Sequence, residues 1–173
     1  MNSVKRSFNV FVLPFMEDNG FSLDDIQIGL QELSLPYKKD KALKDQISSI
    51  GELYLSEGNT LIHGDYYPGS WMKNAVQIYV LDPEFSFIGF KEFDLGVMAA
   101  HLEMSGISNA VGLILEKYQK ETNTKLAWQL CGIEIMRRLI GLAQLPLNLD
   151  LNRKKELLSS AYQMIMSPIG YSN

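Results

Sequence analysis

Apolar side chains recur along the first third of the chain at intervals of three and four. Leu23, Ile26, Leu30 and Leu33 follow the pair Ser22 and Asp25, which resembles a helix N-cap, so the pattern predicts an amphipathic helix ended by Pro36. Asp40 caps a second helix through Leu43, Ile47, Ile50 and Tyr54, with Gly58 as its stop signal. The pattern then shortens. An apolar run at 60–62 enters His63-Gly64-Asp65, and a β-rich run at 75–81 enters Asp82-Pro83-Glu84, so both polar motifs stand at strand ends, where loops display chemistry. Helical spacing returns over 93–104, 110–120, 125–142 and 153–166. In the last of these Leu157, Leu158, Ala161, Met164 and Ile165 form one stripe, a core face. Two or three short strands among about six helices predict a mostly helical α+β fold, with residues 1–173 as a single domain.

Composition narrows the partners. The chain is 46% hydrophobic and 21% charged, the balance of a folded globular protein. A net charge of -4, with lysines and arginines scattered, argues against nucleic acid as the main partner. Cys131 is the single cysteine, so no intrachain disulfide forms; it reads as a small buried hydrophobe in a reducing compartment. Lys5 and Arg6 before the apolar stretch 8–16 imitate a signal peptide. Asn9 and Pro14 interrupt that stretch, no small-residue cleavage site follows, and it is too short to span a membrane, so a cytoplasmic protein is expected.

The candidate chemistry lies between residues 63 and 84. Asp65 follows a glycine in one loop, and Asp82 and Glu84 lie in the next. A strand, a tight turn and a returning strand would set these loops side by side, and three hard oxygen ligands suit Mg²⁺. Phosphoryl transfer divides labour in this way: metal ligands hold phosphate oxygens while another carboxylate positions the attacking hydroxyl. A serine hydrolase built on Ser70 and His63 is disfavoured, because Pro68-Gly69-Ser70-Trp71 is not a nucleophile elbow.

The segment Leu61-Ile-His-Gly-Asp-Tyr-Tyr-Pro-Gly-Ser-Trp-Met72 resembles the catalytic loop of the 5-methylthioribose kinases, within the aminoglycoside phosphotransferase and choline kinase superfamily. Val80-Leu-Asp-Pro-Glu-Phe-Ser-Phe-Ile-Gly89 and Glu92-Phe-Asp-Leu-Gly-Val97 resemble the metal-binding loop and the helix start that follow it, and Met136-Arg-Arg-Leu-Ile-Gly-Leu-Ala143 is similar to that branch's paired-arginine helix. The resemblance covers roughly residues 50 to 145. It implies the C-lobe of the protein kinase-like fold, with ATP as co-substrate and Mg²⁺. Asp65 is then the catalytic aspartate, Asp82 and Glu84 hold the metal, His63 and Asp94 brace the loop, and Ser70 stands at the nucleotide, where many aminoglycoside kinases carry an asparagine ligand. Arg137 and Arg138 either steady phosphate charge at the reacting centre or simply pair with Glu134. Gln144 departs from the histidine usual in the methylthioribose branch and leaves the sugar or amino-sugar substrate open. The N-terminal nucleotide-clamping lobe has no counterpart in the sixty or so residues before Asp65, which carry no glycine-rich loop, so it is expected on another chain or another stretch of protein. The implied function is ATP-dependent phosphorylation of a small sugar-like metabolite; the alternative is a non-catalytic kinase-like remnant or binding module.

Overall fold

In the computed structural model, which describes residues 3–145 and 147–168, seven α-helices and four three-residue strands make up most of the regular structure. The helices are α1 (Ser3–Ser7), α2 (Leu30–Lys39), α3 (Lys41–Leu55), α4 (Lys91–Met104), α5 (Ala110–Tyr118), α6 (Thr124–Ile140) and α7 (Leu151–Met166). The strands β1 (Thr60–Ile62), β2 (Trp71–Lys73), β3 (Ile78–Val80) and β4 (Phe87–Gly89) form two antiparallel pairs, β1 with β4 and β2 with β3. The expected mostly helical α+β class is observed. No helix among the described residues is long and apolar enough to cross a membrane.

Helix α6 is the centre of the core. Asn123 Oδ1 caps it by accepting the Leu126 amide at 3.1 Å, and α4 and α7 flank it. Fourteen of its seventeen residues are buried, Gln129, Glu134 and Arg138 among them, so it is enclosed around its circumference instead of on one face. Ile133, Ile135, Met136 and Leu139 are at most 2% exposed, and each such side chain contributes about 1.5–3 kcal/mol on burial. Cys131 lies fully buried here, and burial pushes its thiol well above the usual range, in keeping with a small hydrophobe. The stretch that imitates a signal peptide is core as well: Phe11 and Phe15 are buried, and the Phe11 ring packs 5.3 Å from that of Tyr54 on α3.

Four expectations are corrected. Residues 23–29 do not begin α2: Leu23–Asp25 is a 3₁₀ turn, and the chain breaks at Gly29 with φ 87. Asp24 Oδ1 instead accepts the Gly29 and Gln31 amides at 3.0 and 2.9 Å, while Gln31 Oε1 accepts the Leu23 amide, a reciprocal cap that starts the helix at Leu30. Pro36 does not end it either. Pro36 and Glu32 are both exposed on one face, so the carbonyl that loses its partner meets water, and α2 runs on to Lys39.

Gly58 is not the stop of α3, which ends at Leu55 with the Ser56 hydroxyl on the Leu53 carbonyl. Gly58 serves a close approach instead, since a Cβ there would stand 2.1 Å from the Gly89 backbone. The run 75–81 is strand only over Ile78–Val80; Asn74 Oδ1 accepts the Val76 and Gln77 amides and turns the hairpin from β2 to β3.

Candidate functional site

β1 delivers the chain to His63, and Gly64, with φ 82, makes the left-handed turn that a side chain would strain. The carboxylate of Asp94, in the early part of α4, receives this turn: Oδ2 accepts the His63 amide at 2.6 Å and Oδ1 the Gly64 amide at 2.9 Å. Hydrogen bonds to a charged acceptor contribute about 1.5–3 kcal/mol each. Burial pushes the Asp94 carboxyl above its ordinary value, and the two amides only partly offset it. The brace expected from sequence is therefore present in the geometry.

The imidazole of His63 is committed on both sides. Nδ1 accepts the Asp65 amide at 3.3 Å, which leaves Nε2–H to donate to the Leu81 carbonyl at 2.7 Å. The Leu81 amide donates to the Ser70 carbonyl at 2.8 Å, and the Ser70 hydroxyl donates to the Asp65 carbonyl at 2.9 Å. A closed circuit of hydrogen bonds thus runs through His63, Asp65, Ser70 and Leu81 and joins the two loops. Ser70, expected at the nucleotide, is buried with its hydroxyl turned inward onto the loop.

Asp65 projects from this circuit with its side chain 30% exposed, and its Oδ1 lies 3.3 Å from Arg138 Nη2. Arg138 is aimed from α6 by Glu134, one turn earlier. Glu134 Oε1 accepts from Arg138 Nε at 2.6 Å, and Arg137 binds the same carboxylate through Nε at 2.6 Å and Nη2 at 2.9 Å. Burial alone would raise the Glu134 carboxyl, but Arg137, His101 and Arg138 outweigh it and hold the group well below the usual range. His101 Nε2 stands 3.5 Å from Glu134 Oε1 without hydrogen-bond alignment, and its ring stacks at 4.6 Å on Tyr67. Tyr67 also carries the Arg138 guanidinium, 5.4 Å from its centroid. The two arginines pair with Glu134, and Arg138 also reaches Asp65.

Asp82 adopts a left-handed conformation with φ 57 and ψ 54, and Pro83–Phe85 follows as a 3₁₀ turn. Asp82 and Glu84 are exposed, with no hydrogen bond to either carboxylate among the described residues. The bond from His63 to Leu81 sets the backbones of the two loops together as expected. The convergence of Asp65, Asp82 and Glu84 into one ready-made cluster is not observed, since no three metal-binding side chains gather among the described residues. Two unengaged carboxylates in one turn do fit a hard cation whose remaining positions are filled by water and phosphate oxygens.

Glu134 as the hub of both arginines was legible from its i+3 and i+4 spacing; His101 and Tyr67 had no such signal. Gln144 donates to the Leu139 and Gly141 carbonyls at 2.9 and 2.8 Å and closes the end of α6. A cavity of about 680 Å³ lies behind the loop, walled by Leu61, Ile62, Leu95 and Met98 with His63 and Asp94 at its edge; Asp65, Asp82 and Glu84 do not line it.

No protein-family model matches the chain. Curated proteins do. It is 33% identical over 93 residues to the methylthioribose kinase of Exiguobacterium sibiricum, covering 54% of this chain and 23% of that protein. Methylthioribose kinases from two strains of Bacillus cereus match at 33% over 137 residues (73% of this chain, 33% of theirs) and at 29% over 195 aligned positions (91% and 48%). The chain thus spans between about a quarter and a half of the length of these relatives. Its sequence is methylthioribose kinase-like along most of its length, with the Asp65 and Arg138 site borne on a mostly helical α+β fold.

Proposed function

We propose that the chain forms the C-terminal catalytic lobe of a kinase-like phosphotransferase, which moves a phosphoryl group from ATP to a hydroxyl of a small sugar-like metabolite. One observation carries the reading: Asp94 fixes the His63–Gly64 turn so that Asp65 stands half-exposed beside Arg138, with the acidic turn of Asp82 and Glu84 tied alongside. Asp65 orients the substrate hydroxyl and accepts its proton. Arg138 faces the reacting centre, held there by Glu134 and Tyr67, and steadies the charge of the phosphoryl group. Arg137 acts through Glu134. Ser70 shapes the loop from within. Asp82 and Glu84 would hold Mg²⁺, which supplies neutralisation of the phosphate charge. The nucleotide is clamped by an N-terminal lobe contributed by a further stretch of protein.

The names of the relatives support a sugar kinase-like function, and methylthioribose is the first candidate acceptor. Aminoglycosides are expected to be poor acceptors. Several ammonium groups need a dense acidic surface, whereas residues 126–149 carry Glu134 alone, and two arginines already occupy it.

The test joins the chain to the N-terminal portion of the Exiguobacterium relative and follows Mg²⁺-dependent transfer from ATP to methylthioribose and to kanamycin. Transfer to the small sugar is expected, and Asp65→Asn should lower turnover at least about a hundredfold, with circular dichroism and melting unchanged. Undiminished turnover in that variant, or preference for kanamycin, would refute the assignment.

A further inference from the structure

We infer that Arg6 is a positioning residue that ties the acidic turn at residues 82–85 to the His63-Gly64-Asp65 loop. It is 8% exposed in α1, far from both loops in sequence. Its Nη1 donates to the Phe85 carbonyl, and the guanidinium carbon lies 4.9 Å from the Phe85 ring centroid and 5.3 Å from that of Phe87. The same nitrogen abuts Gly64, where a Cβ would come within 2.9 Å of it. A single planar group therefore touches both loops at once.

The chemistry of the contact points to a structural duty. No carboxylate among the described residues forms an ion pair with Arg6, and its Nε is buried without a partner. Burying such a cation is unfavourable unless its contacts are compensating, and here a carbonyl and two aromatic faces supply them. The turn it holds needs holding. Asp82 sits in a left-handed conformation that few side chains other than Asp and Asn adopt, and the turn's own closure is the Ser86 amide on the Pro83 carbonyl at 2.9 Å. Arg6 thereby sets where Glu84 lies relative to Asp65. This consequence rests on the metal reading of Asp82 and Glu84; the clamp itself does not.

The experiment compares the full chain with Arg6→Met and Arg6→Lys by hydrogen exchange and by Mn²⁺ titration followed by electron paramagnetic resonance. The Ser86 amide should exchange at least tenfold faster in Arg6→Met and to an intermediate degree in Arg6→Lys, with the amides of α7 unchanged. Mn²⁺ binding should weaken about fivefold in Arg6→Met, although removing a nearby cation on its own would strengthen it. Unchanged exchange at Ser86 overturns the inference whatever Mn²⁺ does. Faster exchange in a protein whose unaltered form binds no Mn²⁺ upholds the clamp and removes the metal reading instead. If Arg6→Met does not fold, Arg6→Lys decides, because it keeps the charge and loses the plane that spans both loops: unchanged Ser86 exchange there overturns the inference equally.

Discussion

Arg137 and Arg138 are adjacent in sequence and share Glu134, yet only Arg138 extends to Asp65. Replacing each should therefore separate two kinds of damage. On the proposed phosphotransferase reading, Arg138→Ala in the fusion with a relative's N-terminal portion is expected to lower kcat about a hundredfold or more by removing charge beside Asp65, whereas Arg137→Ala should chiefly lower the unfolding midpoint; equal losses of kcat at matched stability would assign both to the site. Glu134 is the common support, and its removal leaves Arg137 without its countercharge and Arg138 with Asp65 alone. Breaking a buried pair in this way costs about 3–5 kcal/mol, so Glu134→Gln should be markedly less stable than the unaltered chain at pH 7. The folded-state pKa of Glu134 lies below its unfolded value, so this stabilisation is fully present above the ordinary glutamate range and declines as pH falls below about 4.3 towards the folded value. Urea unfolding at pH 7, 5 and 4 should show a constant difference between the two proteins at the upper two values and a smaller one at pH 4. A difference independent of pH would mean that the carboxylate's charge is not what the arginines need.

At the scale of elements, α2 shows where periodicity misleads. The spacing of Leu23, Leu30 and Leu33 holds across a 3₁₀ turn and a helix alike, because each leucine faces the same core whatever the backbone between them does. The switch is written in Gly29 and in the bonds between Asp24 and Gln31, which pattern alone does not rank. Pro36 carries a consequence. A proline in a helix interior is about 3 kcal/mol less favourable than alanine, and part of that is offset by the smaller conformational freedom it leaves the unfolded chain. Pro36→Ala should raise stability by about 1–3 kcal/mol, read as a higher urea midpoint with an unchanged slope; no gain would mean that the exposed Glu32 carbonyl loses nothing to the proline ring. The later helices were legible because α7 displays one unbroken stripe and α4 and α6 are long. The four strands were less so, since three residues are too few for a period and their pairing is set by the hairpin at Asn74 and the contact of Gly58 with Gly89. The site was legible in its residue types, because carboxylates beside glycines at strand ends are unusual. Its supports were not, because Arg6 and His101 reach it across long sequence separations and nothing in the sequence pairs Tyr67 with Arg138.

For the whole molecule, the distribution of apolar surface is uneven. Most of the core side chains lie on the helices, whereas the two small sheets leave Leu61, Met72, Ile78 and Ile88 each more than half accessible, Leu61 and Ile88 on one face of the β1–β4 pair and Met72 and Ile78 on opposite faces of the β2–β3 hairpin. Exposed apolar side chains on both sheets beside a polar loop suit a surface that meets something else, and the curated relatives extend well beyond the stretch this chain matches. The proposed N-terminal lobe supplies a physical reason for both facts. If it closes over the sheets, the nucleotide is held between two walls, of which this chain provides one together with the acidic turn. Half a site would lose affinity steeply: Asp82 and Glu84 would still hold a metal ion that neutralises phosphate charge, but the base would gain no enclosing surface and forfeit its burial. The chain alone should then bind ATP in the presence of Mg²⁺ no more tightly than about 100 μM, an affinity of about −5.5 kcal/mol. Adding the N-terminal portion of a methylthioribose kinase relative should tighten binding at least tenfold and, in the same titration, reduce the exposed apolar area, read as a negative heat-capacity change. Micromolar binding of ATP by the isolated chain would show that one wall suffices, and the apolar sheets would then need a different occupant.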